Sequence, residues 1–198
     1  MSDILCVTNR KLCREGFLSR IEKIAAAHPA AIILREKDLT PDQYGELAGR
    51  ALALCEKYQT PCILHSFVNI SIQLKCKSIH LPLPALRALS KEDKVLFRCI
   101  GASCHSVDEA MEAQRLGCSY ILAGHIFDTD CKRGLPGRGL DFLETVCDSV
   151  SIPVYAIGGI QADNVAEVRE RKAAGVCVMS GIMGCENVRE FLLELEGA

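Results

Sequence analysis

The sequence predicts an α/β fold, a single (β/α)8 or TIM barrel occupying residues 1–198. Eight short apolar runs rich in Val, Ile and Leu recur along the chain, separated by segments with helical spacing. The runs are apolar at nearly every residue rather than at alternate ones, which suits parallel strands buried on both faces. The rival fold, an open doubly wound sheet, usually carries a Gly-rich phosphate turn after its first strand. Here the first run ends in Thr8-Asn9-Arg10, with no G-x-G-x-x-G. Eight units in 198 residues leave about 25 residues each, near the minimum for the barrel.

The predicted strands are residues 4–8, 31–35, 61–65, 78–81, 96–101, 120–125, 153–157 and 175–179. Each is followed by a polar or glycine-containing turn. Between them, residues 41–58 give the clearest helix, with Leu47, Ala51, Leu54 and Tyr58 on one stripe. Residues 106–116 open on Ser106 with Glu109 three positions later, the pattern of a capping box. Residues 163–173 and 186–195 read as helices on similar grounds, and 69–76 and 84–89 as short ones. No linker, low-complexity stretch or long charge run divides the chain.

Composition narrows the function classes. With 23 Lys plus Arg against 25 Asp plus Glu, the formal charge is −2; there are four Tyr, six Phe and no Trp. A nucleic-acid partner is not expected from that balance, nor are platforms for stacked bases. No apolar run approaches the ~20 residues of a membrane span. The chain carries twelve cysteines, no Cys-x-x-Cys pair and no basic, apolar leader at its start. The expectation is a cytoplasmic protein whose cysteines act mostly as small core residues in a reducing compartment.

In a barrel, reactive groups collect at the C-terminal ends of the strands. Gly158-Gly159 after strand seven and Ser180-Gly181 after strand eight let backbone N–H groups approach a ligand, which suits a phosphate there. Tight turns needing positive φ are the other reading of these glycines. Arg35 and Lys37 alternate along an extended segment, so both can face the mouth and meet a second anionic group, while Glu36 points the other way into structure. His125 follows an apolar strand and a glycine. A structural histidine is one reading; at a barrel mouth, beside the Gly-rich loop 128–139, a general acid/base is the other. Lys132 in that loop is placed to close over an anion, and Ser103 to donate into the mouth. Cys131 is a lesser candidate, as a nucleophile without a fixed histidine partner. His65 and His105 are weaker candidates, and His28 and His80 read as structural.

These residues together resemble the thiamine phosphate synthase/TenI superfamily nearly end to end. The resemblance is carried by Leu34-Arg-Glu-Lys37, Gly101-Ala-Ser-Cys-His-Ser-Val-Asp-Glu-Ala110, Gly124-x-Ile-Phe-x-Thr129, Lys132, Pro153-x-x-Ala-Ile-Gly-Gly-Ile160 and Val178-Met-Ser-Gly-Ile182. It implies the compact barrel and a small thiazole phosphate as ligand. The synthase branch, which joins a pyrimidine pyrophosphate to a thiazole phosphate with Mg2+, is similar in having an Asn-Asp pair after strand three and an Asp after strand four. Here those positions hold His65-Ser66 and Ala85. Gly124-His125 resembles instead the TenI branch of thiazole tautomerases. On that resemblance the expected function is a proton-shifting isomerase with His125 as acid/base, needing neither metal nor cofactor. Arg35, Lys37, Ser103, Thr129, Lys132, Gly158, Gly159, Ser180 and Gly181 are then its substrate contacts. The alternatives are an Mg2+-dependent synthase using Asp128 or Asp130, and a non-catalytic binder of thiazole phosphate acting as a regulator. A homo-oligomer is compatible with each.

Overall fold

Eight parallel strands close on themselves in sequence order, the first pairing with both the second and the eighth. The computed structural model describes residues 2–132 and 134–197. The strands are β1 (Ile4–Val7), β2 (Ala31–Leu34), β3 (Cys62–His65), β4 (Ser78–Pro82), β5 (Cys99–Cys104), β6 (Tyr120–Gly124), β7 (Val154–Ile157) and β8 (Gly175–Val178). The outer ring holds α1 (Phe17–Ala26), α2 (Pro41–Lys57), α3 (Val68–Gln73), α4 (Leu83–Ala88), α5 (Lys91–Lys94), α6 (Val107–Arg115), α7 (Gly139–Ser149), α8 (Val165–Glu170), α9 (Ser180–Gly184) and α10 (Val188–Gly197). Among the described residues no helix is long and apolar enough to cross a membrane.

Strand alternation divides the core in two. Outward-facing residues such as Ile32, Leu34, Leu64, Ile79, Ile121 and Val176 pack with the helices into the larger cluster. Inward-facing residues, among them Leu5, Val7, Ala31, Ile33, Ile63 and Leu122, fill the barrel. The continuous apolar runs reflect this burial on both faces. All twelve cysteines are described and all are free; Cys131 alone is exposed.

The barrel filling changes character on one side. His65 stands opposite His80, His80 opposite Gly101, and Gly101 opposite Tyr120. The Tyr120 ring lies over Gly101, where a Cβ would come within 2.2 Å of the ring. Its hydroxyl thereby reaches His80 Nδ1 at 3.0 Å. Tyr44, fully buried on α2, donates to the Leu34 carbonyl at 2.7 Å and accepts from the His65 amide at 3.0 Å. That pair of bonds ties α2 to the ends of β2 and β3.

Several elements differ from the sequence prediction. The fifth strand lies at 99–104 rather than 96–101, because Ser90 caps the short α5 and the apolar Val95 and Leu96 that follow it are exposed. The buried face of α2 is Tyr44, Ala48, Ala51 and Cys55, so Leu47 and Leu54 sit at its margin. The hydroxyl of Tyr44 sets this rotation, and the small residues below it allow close approach to the strands. Two crossover helices, α1 and α7, lie outside the predicted segments. Both begin beside a glycine with no side-chain cap, so neither announces its start. In α6 the Ser106 hydroxyl accepts from the Glu109 amide, but the Glu109 carboxylate accepts from the His105 amide, so the box is only half closed.

Candidate active site

The C-terminal mouth of the barrel opens into a cavity of about 1380 Å³. It is built from the ends of β2 to β8 and roofed on one side by the loop after β6. His125, Arg35, Lys37, Ser103, Thr129, Lys132, Gly158, Gly159, Ser180 and Gly181 all line it. The predicted residues therefore share one site.

Its β7–β8 side is a backbone surface. Gly158 and Gly159 have φ of 105° and 67°, which side chains rarely adopt. A Cβ on Gly158 would lie 2.3 Å from His125 Cβ, and one on Gly159 would lie 2.5 Å from the Asp128 carbonyl oxygen. The Phe127 amide donates to the Gly158 carbonyl at 3.0 Å. These glycines thus seat the β6 loop directly on the β7 turn. Gly181 is held as closely, a Cβ there meeting the Phe191 ring of α10 at 2.5 Å.

The β2 side is cationic. Arg35 and Lys37 continue the inward phase of Ala31 and Ile33 past the strand end. The intervening Glu36 is buried and faces outward, accepting from the Thr8 hydroxyl at 2.8 Å and from the Arg10 amide and guanidinium. Thr8 in turn accepts from the Arg35 amide at 2.9 Å, which fixes the backbone that presents the arginine. Lys37 is exposed to the mouth. The surrounding walls lower its pKa most, and the Arg35 and Lys132 charges lower it further.

Between these sides lies a neutral floor. His80 is held by Tyr120 on Nδ1 and by the Ser103 hydroxyl on Nε2 at 2.9 Å. His65 Nδ1 meets the Ser66 hydroxyl at 2.6 Å. Burial pushes the pKa of His65 down to about 2 and that of His80 down to about 3, helped by the nearby Lys37 and Arg35 charges. Both rings are therefore uncharged near neutral pH. Sequence reasoning took His80 as structural and gave Tyr120 no role. The signal for His80 is the alternation on β4, which turns Ser78, His80 and Pro82 inward together.

His125 is buried at the foot of the loop, and its Nε2 donates to the Leu135 carbonyl at 3.2 Å. His105 is exposed, and its Nδ1 donates to the Gly124 carbonyl at 2.8 Å. The loop is braced internally. Asp128 accepts from the Gly137 amide at 2.7 Å, and the Arg138 amide donates back to the His125 carbonyl at 2.9 Å. Thr129 turns its hydroxyl to the Cys131 amide.

The chain matches the family described as Thiamine monophosphate synthase over residues 4–182. It is 31% identical over 197 residues to the thiamine-phosphate synthase of Clostridium tetani, covering 96% of this chain and 92% of that protein. It is 32% identical over 190 residues to the thiamine-phosphate synthase of Clostridium acetobutylicum, covering 93% and 88%. The solved thiamine phosphate pyrophosphorylase from Pyrococcus furiosus superposes with a TM-score of 0.84 at 29% identity, covering 98% of this chain and 93% of that one.

The chain belongs to the thiamine monophosphate synthase family.

The likeness to proteins named thiamine-phosphate synthase corrects the tautomerase expectation. That reading, with its isomerase chemistry, rested on the absence of acids at His65-Ser66 and Ala85 and on the motif Gly124-His125, whereas the likeness to thiamine-phosphate synthases runs through the whole barrel. The motif also has a packing explanation. A Cβ on Gly124 would lie 2.3 Å from the Ile157 carbonyl oxygen, so a glycine is needed there, and the His125 ring anchors the loop.

The magnesium ion implied by the synthase resemblance does not fit the residues present. The positions at issue hold His65, Ser66 and Ala85, and Ala85 packs on the core from α4. Mg2+ is held by carboxylates and waters rather than by imidazoles. Among the described residues no group of three or more His, Cys, Asp or Glu could hold a metal. Asp128 already serves the loop.

Proposed function

We propose that this chain is a thiamine phosphate synthase, a transferase joining a pyrimidine pyrophosphate to a thiazole phosphate. The observation that carries the proposal is the likeness to thiamine-phosphate synthases over more than nine-tenths of the chain. The shape of the mouth supports it, since two anionic groups must be held with their rings between them. The Gly158-Gly159 and Ser180-Gly181 turns offer backbone N–H groups to the thiazole phosphate, at the usual phosphate position of the barrel. Arg35, Lys37 and Lys132 face the opposite anion. Ser103, fixed by His80, is available to a ring heteroatom, and the loop anchored by His125 covers the rings.

In the reaction the bond from the pyrimidine methylene carbon to the pyrophosphate oxygen breaks, and its electron pair leaves with the pyrophosphate. The thiazole ring nitrogen supplies the pair for the new C–N bond and becomes positively charged. No redox agent takes part. Charge grows on the leaving oxygens, so cations fixed beside them stabilise the transition state more than the substrate. Holding the two rings together supplies proximity.

The test is to incubate the full chain with both substrates and follow thiamine phosphate and pyrophosphate together. Equal amounts of the two products are expected, with loss of turnover in Arg35→Ala. Pyrophosphate release without thiamine phosphate, or neither product, would overturn the proposal.

A further inference from the structure

Arg35, Lys37 and Lys132 line one cavity, close enough that the Arg35 and Lys132 charges act on Lys37, and Asp130, two residues before Lys132, lines it as well. Among the described residues none of the three pairs with a carboxylate. The nearest acids on β2's extension are engaged elsewhere. Glu36 is turned outward to Thr8 and Arg10, and Asp38 is held by Arg10 and Lys11. Beneath the cations lie two imidazoles, 5.6 Å apart between ring centroids and both almost fully buried. His65 engages Ser66 through Nδ1 and lines the cavity. This side thus carries three cations above neutral hydrogen-bonding groups, with no ion pair between those cations and a carboxylate among the described residues.

Such a surface is suited to a multiply charged oxyanion and unsuited to a divalent cation. A metal ion placed here would meet like charge from three side chains, and among the described residues no group of three or more His, Cys, Asp or Glu is placed to hold it. A pyrophosphate would find guanidinium and ammonium donors at once.

We propose that Arg35, Lys37 and Lys132, above the His65–His80 floor, form a metal-independent pyrophosphate subsite in which the chain's own cations supply the counter-charge. The proposal rests on the synthase reading only for the choice of pyrophosphate as the anion.

Calorimetric titration of the full chain with inorganic pyrophosphate tests it, in EDTA and in Mg2+ at matched ionic strength. The dissociation constant should change by less than about threefold between the two conditions. Lys37→Met should weaken binding by about tenfold or more, and Lys37→Arg should restore most of it. Lys37 is exposed, so neither variant threatens the fold, and circular dichroism verifies that. Binding that strengthens about tenfold with Mg2+ would overturn the proposal. So would no binding in EDTA, or indifference to Lys37→Met. Metal-independent binding by a chain that makes no thiamine phosphate would sink the synthase reading and leave this subsite standing. Turnover with Mg2+-dependent pyrophosphate binding would do the reverse.

Discussion

Replacing Gly158 by alanine separates two reasons for a glycine at the mouth. One is conformational. At φ 105° an L-residue is strained, by about 1–3 kcal/mol. The other is contact. The added methyl would sit 2.3 Å from His125 Cβ and 2.8 Å from His125 Cα. The second atom is backbone, so no rotamer change relieves the overlap, and overpacking of this kind costs about 1–3 kcal/mol more. Gly117, in the turn between α6 and β6, provides the control. Its φ is 88°, and a Cβ there meets nothing within 4 Å. Gly117→Ala should therefore lose only the conformational part, and Gly158→Ala about 1–3 kcal/mol beyond it. In a barrel of this size that difference lowers the melting temperature by roughly 2–4 °C per kcal/mol. Urea unfolding of the two variants measures it, and titration with inorganic phosphate measures the site. Phosphate binding should weaken in Gly158→Ala and persist in Gly117→Ala. Equal destabilisation by both substitutions would refute the packing argument, and unchanged phosphate affinity in Gly158→Ala would refute the backbone cradle.

Two further outcomes follow from the buried polar groups. Glu36→Ala removes a carboxylate holding the Thr8 hydroxyl and Arg10, so urea unfolding should show a loss of about 3–5 kcal/mol, and pyrophosphate affinity should fall because Thr8 also fixes the Arg35 amide. His65 and His80 have folded pKa values near 2 and 3, below the unfolded value of about 6.5, so between these limits the unfolded chain binds more protons than the native one. Stability contributed by this pair should therefore be level above about pH 7. It should fall below that by about 1 kcal/mol per pH unit per histidine, and His80→Gln should remove one histidine's share of the slope in urea midpoints taken at about pH 7, 6 and 5.

The barrel was legible because burial on both strand faces leaves a signal that needs no partner to interpret. Glu36 was legible for a related reason. Between two inward cations a period of two sends it outward, and the structure finds it there. The displaced β5 shows where the signal fails. Val95 and Leu96 are apolar but exposed, so hydrophobicity alone placed the strand start three residues early. The floor was hidden more deeply. His80 and Tyr120 are forty residues apart, and their contact exists only because Gly101 leaves room for the ring between them. The Gly124-His125 motif misled because local identity carries less weight than similarity along the whole chain. Packing against Ile157 and Leu135 accounts for both of its residues.

Charge at the mouth depends on the floor beneath it. Two protonated imidazoles under Arg35 and Lys37 would add two positive charges to a surface that already holds three cations. Burial prevents this by favouring the neutral rings, and the cations reinforce it by lowering the same pKa values. Neutral imidazoles can in turn accept or donate hydrogen bonds without competing for the anion. The Tyr120–His80–Ser103 chain satisfies both nitrogens of His80, so this polar layer inside an apolar barrel leaves no unmet donor there. A carboxylate at either histidine position would reverse the arrangement. It would pair with Arg35 or Lys37, cancel charge meant for a ligand and create the oxygen site that a divalent ion needs. On the proposed reading, two residues, His65 at the end of β3 and His80 within β4, keep this side of the barrel suited to an anion rather than to a metal ion.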